Sequence, residues 1–499
     1  MKPKILIIDT PFNLASENDP PRIYLSFAAM YLMTALRRAG YNPVFYDPKV
    51  SGKKNKLKGI FYVGDTFAEI EKRIRRESPD IVAVTNLFSK DFNNAVEVCR
   101  RAKRVNNKIV TVVGGPHATA LPKDFLAEKE VDIVAIGEGE ETIVELMRYL
   151  EGRMKVSDIK GIAYRKKSGS SIFNEPRPNI KDMDQVGFPD FSGVDLTEYF
   201  SINARGLGPR PLGTGKRPFS VETSRGCPYQ CFFCAARNVA GLRFRPISAG
   251  EVLRHIKELV DNYGVDYVSF EDDNISFDPR RFEKIVDGLL SYKKKLLWGT
   301  PNGVRADTIL DKRLLRKVKE SGCQYLTVGV ESGNQDFLST VVNKSLDLNV
   351  IKKLAKMCAE VDLPLNAFFI IGFPDEKLSQ IRDTLGFAFD LYRSYGLYPF
   401  VNFAIPIRGT KMYDICKEKG YLVENITSKS LAESSSFRGK GKITTPEFTP
   451  EILSSLMKEF NGKIFRNSLW RAIKSPRVAF RYATYAIKNF SHFKRYVFG

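Results

Sequence analysis

Residues 227–234 read Cys-Pro-Tyr-Gln-Cys-Phe-Phe-Cys, which places Cys227, Cys231 and Cys234 within eight residues. Residues 221–223 come shortly before this stretch, and we expect them to form a β-strand. Three thiolates leave the tetrahedral ligand set of a structural zinc site incomplete. They suit a [4Fe–4S] cluster with one iron left open, because each thiolate binds one iron. The alternative is a zinc site that a distant cysteine or histidine completes.

Around this stretch, apolar runs alternate with helical patterns from about residue 218 to residue 425. Such an alternation is typical of βα units, in which a buried strand is followed by an amphipathic helix. About six units predict a partial (β/α)6 barrel of the TIM type, whose active site lies at the carboxyl ends of the strands. The three cysteines follow the first strand, so we expect them at that end of the barrel.

The chain before the barrel predicts a second α/β domain, over residues 1–155. Its strands are continuous apolar runs between helices, which indicates a doubly wound, Rossmann-like parallel sheet. Ligands of such sheets bind at the carboxyl ends of the strands, and the glycine-rich turns at 114–115 and 137–140 fall at those ends. Residues 156–217 are rich in Pro, Gly and Arg, and we expect them to form a connector between the domains.

The alternation stops after about residue 425, and we expect residues 426–499 to form a mainly helical, basic extension. Residues 428–442 are polar and predict a loop, whereas residues 450–460 predict a helix. Residues 463–499 contain nine Lys and Arg residues, no acidic residue and many aromatic ones. This basic tail suits three hypotheses: contact with an anionic membrane surface, binding of nucleic acid, or a pair of helices docked on the barrel.

The composition favours an anionic partner, because 78 basic and 57 acidic side chains among 499 residues give a net charge of +21. The N-terminus has no signal-peptide pattern, and no apolar run is long enough to span a membrane. These features indicate a cytoplasmic protein. Peripheral contact with the inner face of the membrane through the basic tail is a further hypothesis.

The cysteine spacing, the strand before it and the barrel around it resemble the radical S-adenosylmethionine (SAM) superfamily over residues 218–425. The resemblance implies that a [4Fe–4S] cluster binds SAM at its open iron and cleaves it to a 5′-deoxyadenosyl radical. It also implies an adenine contact near the last cysteine, an acidic contact to the SAM amino group, and ribose, carboxylate and backbone contacts at the later strand ends. The residues concerned are Phe233, Glu271, Asp272, Arg305, Glu331, Ser332 and Gly372.

Each of these residues also has a purely structural interpretation. The acidic run at 271–273 is typical of a helix N-cap, Arg305 can pair with Asp307, and Glu331 can belong to an ion pair. Their recurrence at successive strand ends favours the SAM site.

Residues 113–119 (Val-Gly-Gly-Pro-His-Ala-Thr) and 137–142 (Gly-Glu-Gly-Glu-Glu-Thr) resemble the cobalamin-binding domain that is fused to many radical SAM enzymes. Glycines at strand ends let the backbone approach a flat, bulky ligand closely. The resemblance implies cobalamin as a second cofactor; the alternatives are an ordinary flavodoxin-like domain or one that no longer binds cobalamin. The expected cobalamin contacts are Thr85, Asn86, Ser89, Gly114, Gly115, Pro116, His117, Gly137, Glu138 and Gly139.

One departure from the family concerns the cobalt ligand. Cobalamin domains of the methionine-synthase type carry Asp-x-His-x-x-Gly after the first strand, and that histidine ligates cobalt. Residues 9–15 of this chain read Asp-Thr-Pro-Phe-Asn-Leu-Ala and contain no histidine. We therefore expect base-off cobalamin without a histidine on cobalt, and His117 as a hydrogen-bonded loop residue.

The resemblance implies an enzyme that methylates an unactivated carbon of a small-molecule or lipid-linked substrate, with electrons from a donor such as flavodoxin or ferredoxin. One alternative keeps the cofactors but catalyses a cyclisation, rearrangement or oxidation. Another is an RNA-modifying or RNA-binding protein. The sequence has no second cysteine cluster and no appended small β-barrel, so we do not expect nucleic acid as the partner.

Overall fold

The structure is a computed structural model that describes residues 2–19, 23–166, 169–204, 216–292, 296–434 and 440–474. These residues form two α/β units followed by a helical extension, which confirms the expected fold class. No helix within these ranges has both the length and the apolar composition that a membrane span requires.

The first unit contains ten strands, and seven of them form one sheet. The strands are β1 (Ile5–Asp9), β2 (Phe12–Asn13), β3 (Val44–Tyr46), β4 (Lys54–Leu57), β5 (Ile60–Val63), β6 (Ile81–Thr85), β7 (Val110–Gly114), β8 (Ile133–Ala135), β9 (Ile162–Arg165) and β10 (Ser171–Phe173). The seven-stranded sheet has the order β10-β9-β8-β7-β6-β1-β3. Strands β3, β1, β6, β7 and β8 are parallel, so their carboxyl ends and the loops that follow them share one edge.

Two strands of this sheet come from the stretch that the sequence assigned to the connector. Strand β9 pairs antiparallel with β8, and β10 pairs antiparallel with β9. The sheet therefore continues past residue 155. Both strands are short, and β10 forms the edge of the sheet. Strands β2, β5 and β4 form a separate antiparallel sheet beside the loop after β1.

Eight helices accompany these strands in the described part of the first unit and the connector. They are α1 (Phe27–Arg38), α2 (Phe67–Glu77), α3 (Phe92–Val105), α4 (Pro116–Ala120), α5 (Pro122–Leu126), α6 (Glu140–Leu150), α7 (Met183–Val186) and α8 (Leu196–Ala204). Helices α1 and α6 pack together, and α2 packs on α3. Helix α2 begins with a capping box, in which the Thr66 hydroxyl accepts from the Glu69 N–H and the Glu69 carboxylate accepts from the Thr66 N–H.

The second unit is the partial barrel that the sequence predicts. Its strands are β11 (Pro218–Val221), β12 (Ser224–Arg225), β13 (Arg245–Pro246), β14 (Tyr267–Phe270), β15 (Leu297–Gly299), β16 (Cys323–Glu331), β17 (Leu365–Ile371) and β18 (Tyr398–Phe403). Six are parallel in the order β11-β14-β15-β16-β17-β18, and within the described ranges β11 does not pair with β18. The strand expected at 221–223 lies earlier and ends at Val221, because Thr223 donates instead to the Asp272 carboxylate.

Helices separate the barrel strands and cover their outer face. They are α9 (Ala236–Val239), α10 (Ala249–Tyr263), α11 (Pro279–Leu290), α12 (Lys312–Glu320), α13 (Gln335–Thr340), α14 (Leu348–Glu360), α15 (Leu378–Tyr395) and α16 (Lys411–Glu418). Helix α10 shows how the sequence sets these boundaries. The Ser248 side chain caps its first turn, and Gly264 ends it in a left-handed conformation with φ of 66°.

The C-terminal extension corrects one prediction. Part of the loop expected at 428–442 is a helix, α17 (Ser428–Ser434), which packs on the 3₁₀ turn Ser89–Asp91 of the first unit. The buried positions of α17 are serines and an alanine, so the sequence shows no apolar periodicity. The helix expected at 450–460 is confirmed as α18 (Pro450–Lys474). Residues 475–499 of the basic tail lie outside the described residues.

Candidate functional site

The cysteine loop leads from β12 to α9 at the carboxyl end of β11. Gly226 has φ of 87°, and a Cβ at this position would lie 2.3 Å from the carbonyl oxygen of Arg243. Glycine is therefore required where the chain enters the loop. Farther along, the Cys234 N–H donates to the Cys231 carbonyl at 3.1 Å. Cys231, Cys234 and Cys227 are all free and half-buried, so each sulfur can bind a ligand.

The electrostatics of the loop favour a bound cation. Burial raises the pKa of the Cys227 and Cys231 thiols. Burial, together with the charges of the other two thiolates and Asp273, raises the pKa of Cys234 to about 11. Thiolates are the form that binds metal, and a positively charged iron centre offsets their mutual repulsion. This donor set fits a [4Fe–4S] cluster.

Among the described residues, the zinc alternative finds no fourth ligand. The imidazole of His255 is stacked on Phe188 with 3.7 Å between the ring centres, and the Cys323 thiol donates to the Tyr325 carbonyl at 3.3 Å. In the ranges that the structure describes, no three His, Cys, Asp or Glu side chains surround one metal-ion position. A zinc site requires such convergence, whereas the thiolates of a four-iron cluster bind separate irons.

The acidic run after β14 serves two purposes. Asp272 is buried and accepts from the Thr223 hydroxyl at 2.7 Å and from the Ser224 hydroxyl. Its carboxylate thus holds the segment that enters the cysteine loop, and its expected contact with SAM stays a prediction. Glu271 is half-buried, and its Oε1 accepts from the Ser269 hydroxyl at 2.8 Å. Burial raises the pKa of Glu271. Glu271 is the better candidate for the SAM amino group.

Two other residues expected at SAM are held in ion pairs. The Arg305 guanidinium pairs with Asp307 at 2.8 Å and lies 3.9 Å from the ring centre of Tyr229 in the cysteine loop. Glu331 pairs with Lys344 at 2.8 Å. Glu331 also has φ of 70°, which is unfavourable for a residue with a side chain. Backbone strain of this kind concentrates at functional sites. The conformation of Glu331 is therefore compatible with a role at the SAM site, although its side chain forms an ion pair.

The loop after β17 is positioned by a residue that the sequence analysis did not single out. Glu376 is fully buried, and its Oε2 accepts from the N–H groups of Gly372 at 2.7 Å and Phe373 at 3.0 Å. Burial raises the pKa of Glu376 to about 8. Gly372 has φ of 81°, and a Cβ there would lie 2.5 Å from the Leu453 side chain of α18. The only sequence signal for Glu376 is its place in the Gly-Phe-Pro-Asp-Glu stretch.

The structure brings the two expected adenine contacts together. The Phe233 ring lies 5.6 Å from the ring of Phe373, centre to centre, and Phe373 is the residue after Gly372. Ser332 is fully buried, and its hydroxyl lies 3.2 Å from that of Thr384. Ser332 therefore anchors the end of β16 to α15.

The expected cobalamin contacts lie at the carboxyl edge of the first sheet. Asn86, after β6, is fully buried, and its Oδ1 has no hydrogen-bond partner within the described ranges. Gly115, after β7, has φ of 113°, and a Cβ there would lie 2.5 Å from the Asn86 carbonyl oxygen. The neighbouring Leu87 and Phe88 are 58% and 49% exposed. An unpaired buried acceptor beside an exposed apolar surface fits cobalamin, whose flat ring carries amide groups around its rim.

His117 is hydrogen-bonded, as expected, but it lies in helix α4 and not in a loop. It is buried near the start of α4, which Pro116 begins. Its Nδ1 lies 2.7 Å from the Ser89 hydroxyl, and its Nε2 lies 3.6 Å from the Asp124 carboxylate. Both ring nitrogens therefore face protein groups. The absence of a histidine ligand to cobalt stays a prediction.

A buried ion pair that the sequence analysis missed joins the end of β1 to the turn after β3. The Lys49 ammonium contacts the Asp9 carboxylate and lies 3.5 Å from Asp47, and all three residues are buried. Thr85, expected at cobalamin, donates to Asp9 at 2.5 Å. Burial raises the pKa of Asp47 to about 6. No spacing pattern links these residues, because Lys49 follows β3 and reaches Asp9 only in the folded sheet.

Glu138, also expected at cobalamin, links the two units instead. Its carboxylate accepts from Arg225 at 2.9 Å, from Arg245 at 2.8 Å and from the Ile180 N–H at 2.7 Å. Arg225 also binds Glu140 at 2.7 Å. Arginines at β12 and β13 therefore tie the glycine turn after β8 to the barrel.

The expected contact of Gly137 and Gly139 with cobalamin stays a prediction. Gly137 has φ of 84° and open space where a Cβ would lie. A Cβ at Gly139 would lie 3.0 Å from the Leu32 side chain. With the Glu138 carboxylate engaged, any contact of this turn with cobalamin involves the backbone.

The two candidate cofactor loops lie side by side. Helix α4, which follows the Gly114–Gly115 turn, packs against α9, which follows the cysteine loop. The carboxyl edges of the sheet and of the barrel therefore face one region between the two units.

Comparison with known proteins supports this division of the chain. Residues 21–147 match the family "B12 binding domain", and residues 221–388 match the "Radical SAM superfamily". The chain is 28% identical over 488 residues to a cytidylyl-2-hydroxyethylphosphonate methyltransferase of Streptomyces wedmorensis, covering 92% of this chain and 90% of that protein. It is 30% identical over 357 residues to an uncharacterized methyltransferase of Pyrococcus horikoshii, covering 70% of this chain and 72% of that protein.

A solved structure shares the architecture. The cobalamin-dependent SAM radical enzyme OxsB, solved with aqua-cobalamin and SAM bound, superposes with a TM-score of 0.73 at 17% identity. The match covers 98% of this chain and 72% of that one. The arrangement of a cobalamin-binding unit, a radical SAM barrel and a C-terminal extension is thus shared along almost the whole chain.

Proposed function

This chain belongs to the cobalamin-dependent radical SAM enzymes, and on that premise we propose that it transfers a methyl group to an unactivated carbon of a small anionic molecule. The observation that carries the proposal is the packing of α4 against α9, which sets the cobalamin loops beside the cysteine loop. Methyl transfer through two cofactors requires that both reach one substrate.

Different residues of the chain bind the cluster, SAM and cobalamin. Cys227, Cys231 and Cys234 hold the cluster, and the backbone that Glu376 fixes receives the adenine of SAM. Asn86 lies where it can bind an amide of cobalamin. When bound, the cluster and SAM supply the one-electron chemistry that activates a C–H bond, and cobalamin supplies the methyl carrier. The protein orients these groups and excludes water from the region between them.

The proposed substrate class rests on the net charge of the chain and on its similarity to a methyltransferase. The net charge of +21 favours an anionic substrate. The relative that spans 92% of this chain is named for a cytidylyl phosphonate. We therefore place nucleotidyl phosphonates and phosphates first among the candidates. A flavodoxin or ferredoxin is the proposed electron donor.

The basic tail suggests one variation. If residues 463–499 bind an anionic membrane, a lipid-linked substrate becomes the better candidate. Sedimentation with anionic liposomes tests whether the tail binds a membrane. If the chain sediments equally with and without residues 463–499, the tail has no membrane role.

The test of function combines cofactor content with product mass. The full chain is purified without oxygen, reconstituted with iron, sulfide and hydroxocobalamin, and analysed for both metals. We expect about four irons and one cobalamin per chain, and a product heavier than its substrate by one CH₂ unit. A Cys231→Ala variant, the control, keeps cobalamin and loses iron and product. A product without added carbon points to cyclisation, rearrangement or oxidation, and a chain that binds no cobalamin refutes the proposal.

A further inference from the structure

The turn after β18, residues 405–410, contacts the cysteine loop and its surroundings. The Asn238 side-chain amide in α9 donates to the Gly409 carbonyl at 2.5 Å. Immediately after the turn, the Met412 N–H donates to the carbonyl of Phe232, between the second and third cysteines, at 3.1 Å. The turn and the residues just after it are therefore hydrogen-bonded both to the cysteine loop and to the helix that follows this loop.

The same turn contacts the cobalamin unit on its other side. The Arg408 guanidinium binds the Asp124 carboxylate through two hydrogen bonds, of 2.6 Å and 3.0 Å. Such paired bonds fix orientation as well as distance. Asp124, in α5, lies 3.6 Å from the His117 ring. His117 in turn contacts the Ser89 hydroxyl, so the pair holds two residues expected at cobalamin.

The barrel turn and the cobalamin loops are thus joined through one charged pair. We propose that Arg408 and Asp124 are positioning residues that couple cobalamin binding to occupancy of the cysteine loop by its cluster. With the cluster held by the cysteines, the hydrogen bond at the Phe232 carbonyl would fix the turn after β18, and Arg408 would hold Asp124 and His117 in the arrangement that receives cobalamin. The inference rests on cobalamin binding by the first unit, which is part of the proposed function.

Coupling of this kind is reciprocal and has a measurable size. If the cluster tightens cobalamin binding by some factor, cobalamin stabilises the cluster by the same factor. Couplings between sites are commonly about 5-fold to 150-fold. Because the link consists of one ion pair whose side chains are 37% and 21% exposed, we expect a factor of about 10, at the lower end of that range.

The experiment measures the Kd of hydroxocobalamin for the full chain, with and without reconstituted cluster, from the change in cobalamin absorbance. The variants are Arg408→Gln, Asp124→Asn and the charge-swapped double variant Arg408→Asp with Asp124→Arg. Lys312→Gln is the matched control, because Lys312 also forms an exposed ion pair, with Glu360 on the outer helices at 2.5 Å. Iron content and thermal unfolding confirm that each variant folds and binds its cluster.

The ratio of the two Kd values distinguishes coupling from simple structural support. We expect a ratio of about 10 in the natural chain and in Lys312→Gln, a ratio near one in each single variant, and partial recovery in the charge-swapped variant. A ratio that Arg408→Gln leaves unchanged overturns the inference while the proposed function stands. A natural chain that binds no cobalamin in either state overturns both.

Discussion

Replacing Glu138 by glutamine tests how strongly the two units are held together. The substitution keeps the shape of the side chain and removes its charge. Arg225 retains carboxylate partners in Glu140 at 2.7 Å and Glu222 at 3.2 Å. Arg245 keeps only neutral carbonyl partners, including Ile180 at 2.8 Å, and its side chain is 3% exposed. One buried guanidinium is therefore left without a counter-charge.

The expected loss of unfolding free energy follows from the charged partners that Arg225 and Arg245 retain. Removing one member of a buried ion pair typically costs about 3 to 5 kcal/mol, because the remaining charge is desolvated and unpaired. We expect Glu138→Gln at the lower end, about 3 kcal/mol, since the amide oxygen still accepts one hydrogen bond. The effect also depends on pH. Burial opposes ionisation of Glu138, but Arg225 and Arg245 outweigh it and lower the pKa, so this stabilisation is present above the ordinary glutamate pKa and is lost as the solution is acidified.

The assay is urea unfolding of the full chain, followed by fluorescence and by hydrogen exchange of peptides that contain residues 138 and 245. Glu141→Gln is the matched control. Glu141 binds Arg177 at 2.6 Å but is 64% exposed, so its loss is expected to cost at most about 1 kcal/mol. A second substitution, Arg245→Met, should restore much of the stability of Glu138→Gln by removing the unpaired charge. If Glu138→Gln costs no more than Glu141→Gln, the network does not hold the units together.

Three further predictions concern the cofactor loops. Glu376→Gln should abolish a pH dependence. The folded pKa of Glu376, about 8, exceeds the ordinary 4.5, so the unfolding free energy of the natural chain should fall by up to about 5 kcal/mol as the pH rises from 4.5 to 8. An equal fall in the variant contradicts the role given to Glu376. Gly372→Ala should lower the unfolding free energy by about 1 to 3 kcal/mol and weaken SAM binding in calorimetry, because φ is 81° and the new Cβ meets Leu453. Its control is Gly386→Ala, in open space on α15, which should be neutral or slightly stabilising. Equal effects of the two substitutions refute the argument from backbone conformation. Lys49→Met should lower the unfolding free energy by about 3 kcal/mol or more, because it leaves the buried Asp9 carboxylate without its ammonium partner. An unchanged urea midpoint contradicts this prediction.

Several features were predictable because they depend on local patterns. Three closely spaced cysteines after a strand indicate a cluster from residue type and spacing alone. Buried strands such as β1 and β6 are runs of apolar residues, which predict a parallel sheet wherever they alternate with helices. Both expectations agree with the matched families and with the shared architecture.

Other features were not predictable, because the side chains involved find their partners only after folding. Asp272 lies in the expected acidic run, yet its carboxylate holds Thr223 and Ser224. Helix α17 lies in a stretch that reads as a polar loop, because its buried face consists of small residues whose burial depends on the first unit.

The sequence by itself predicted three closely spaced thiolates after a barrel strand and glycine-rich turns after strands of a parallel sheet, since residue spacing and hydrophobic periodicity act over a few residues. SAM and cobalamin were implied by the resemblance of these stretches to a known family. Only the tertiary structure decided how those loops are held. Glu138 and Arg245 are 107 residues apart in the chain, and Arg408 and Asp124 are 284 residues apart. Each pair forms because the folded chain brings opposite charges of its two units together in a partly or fully desolvated interface, and no local pattern in the chain predicts that contact.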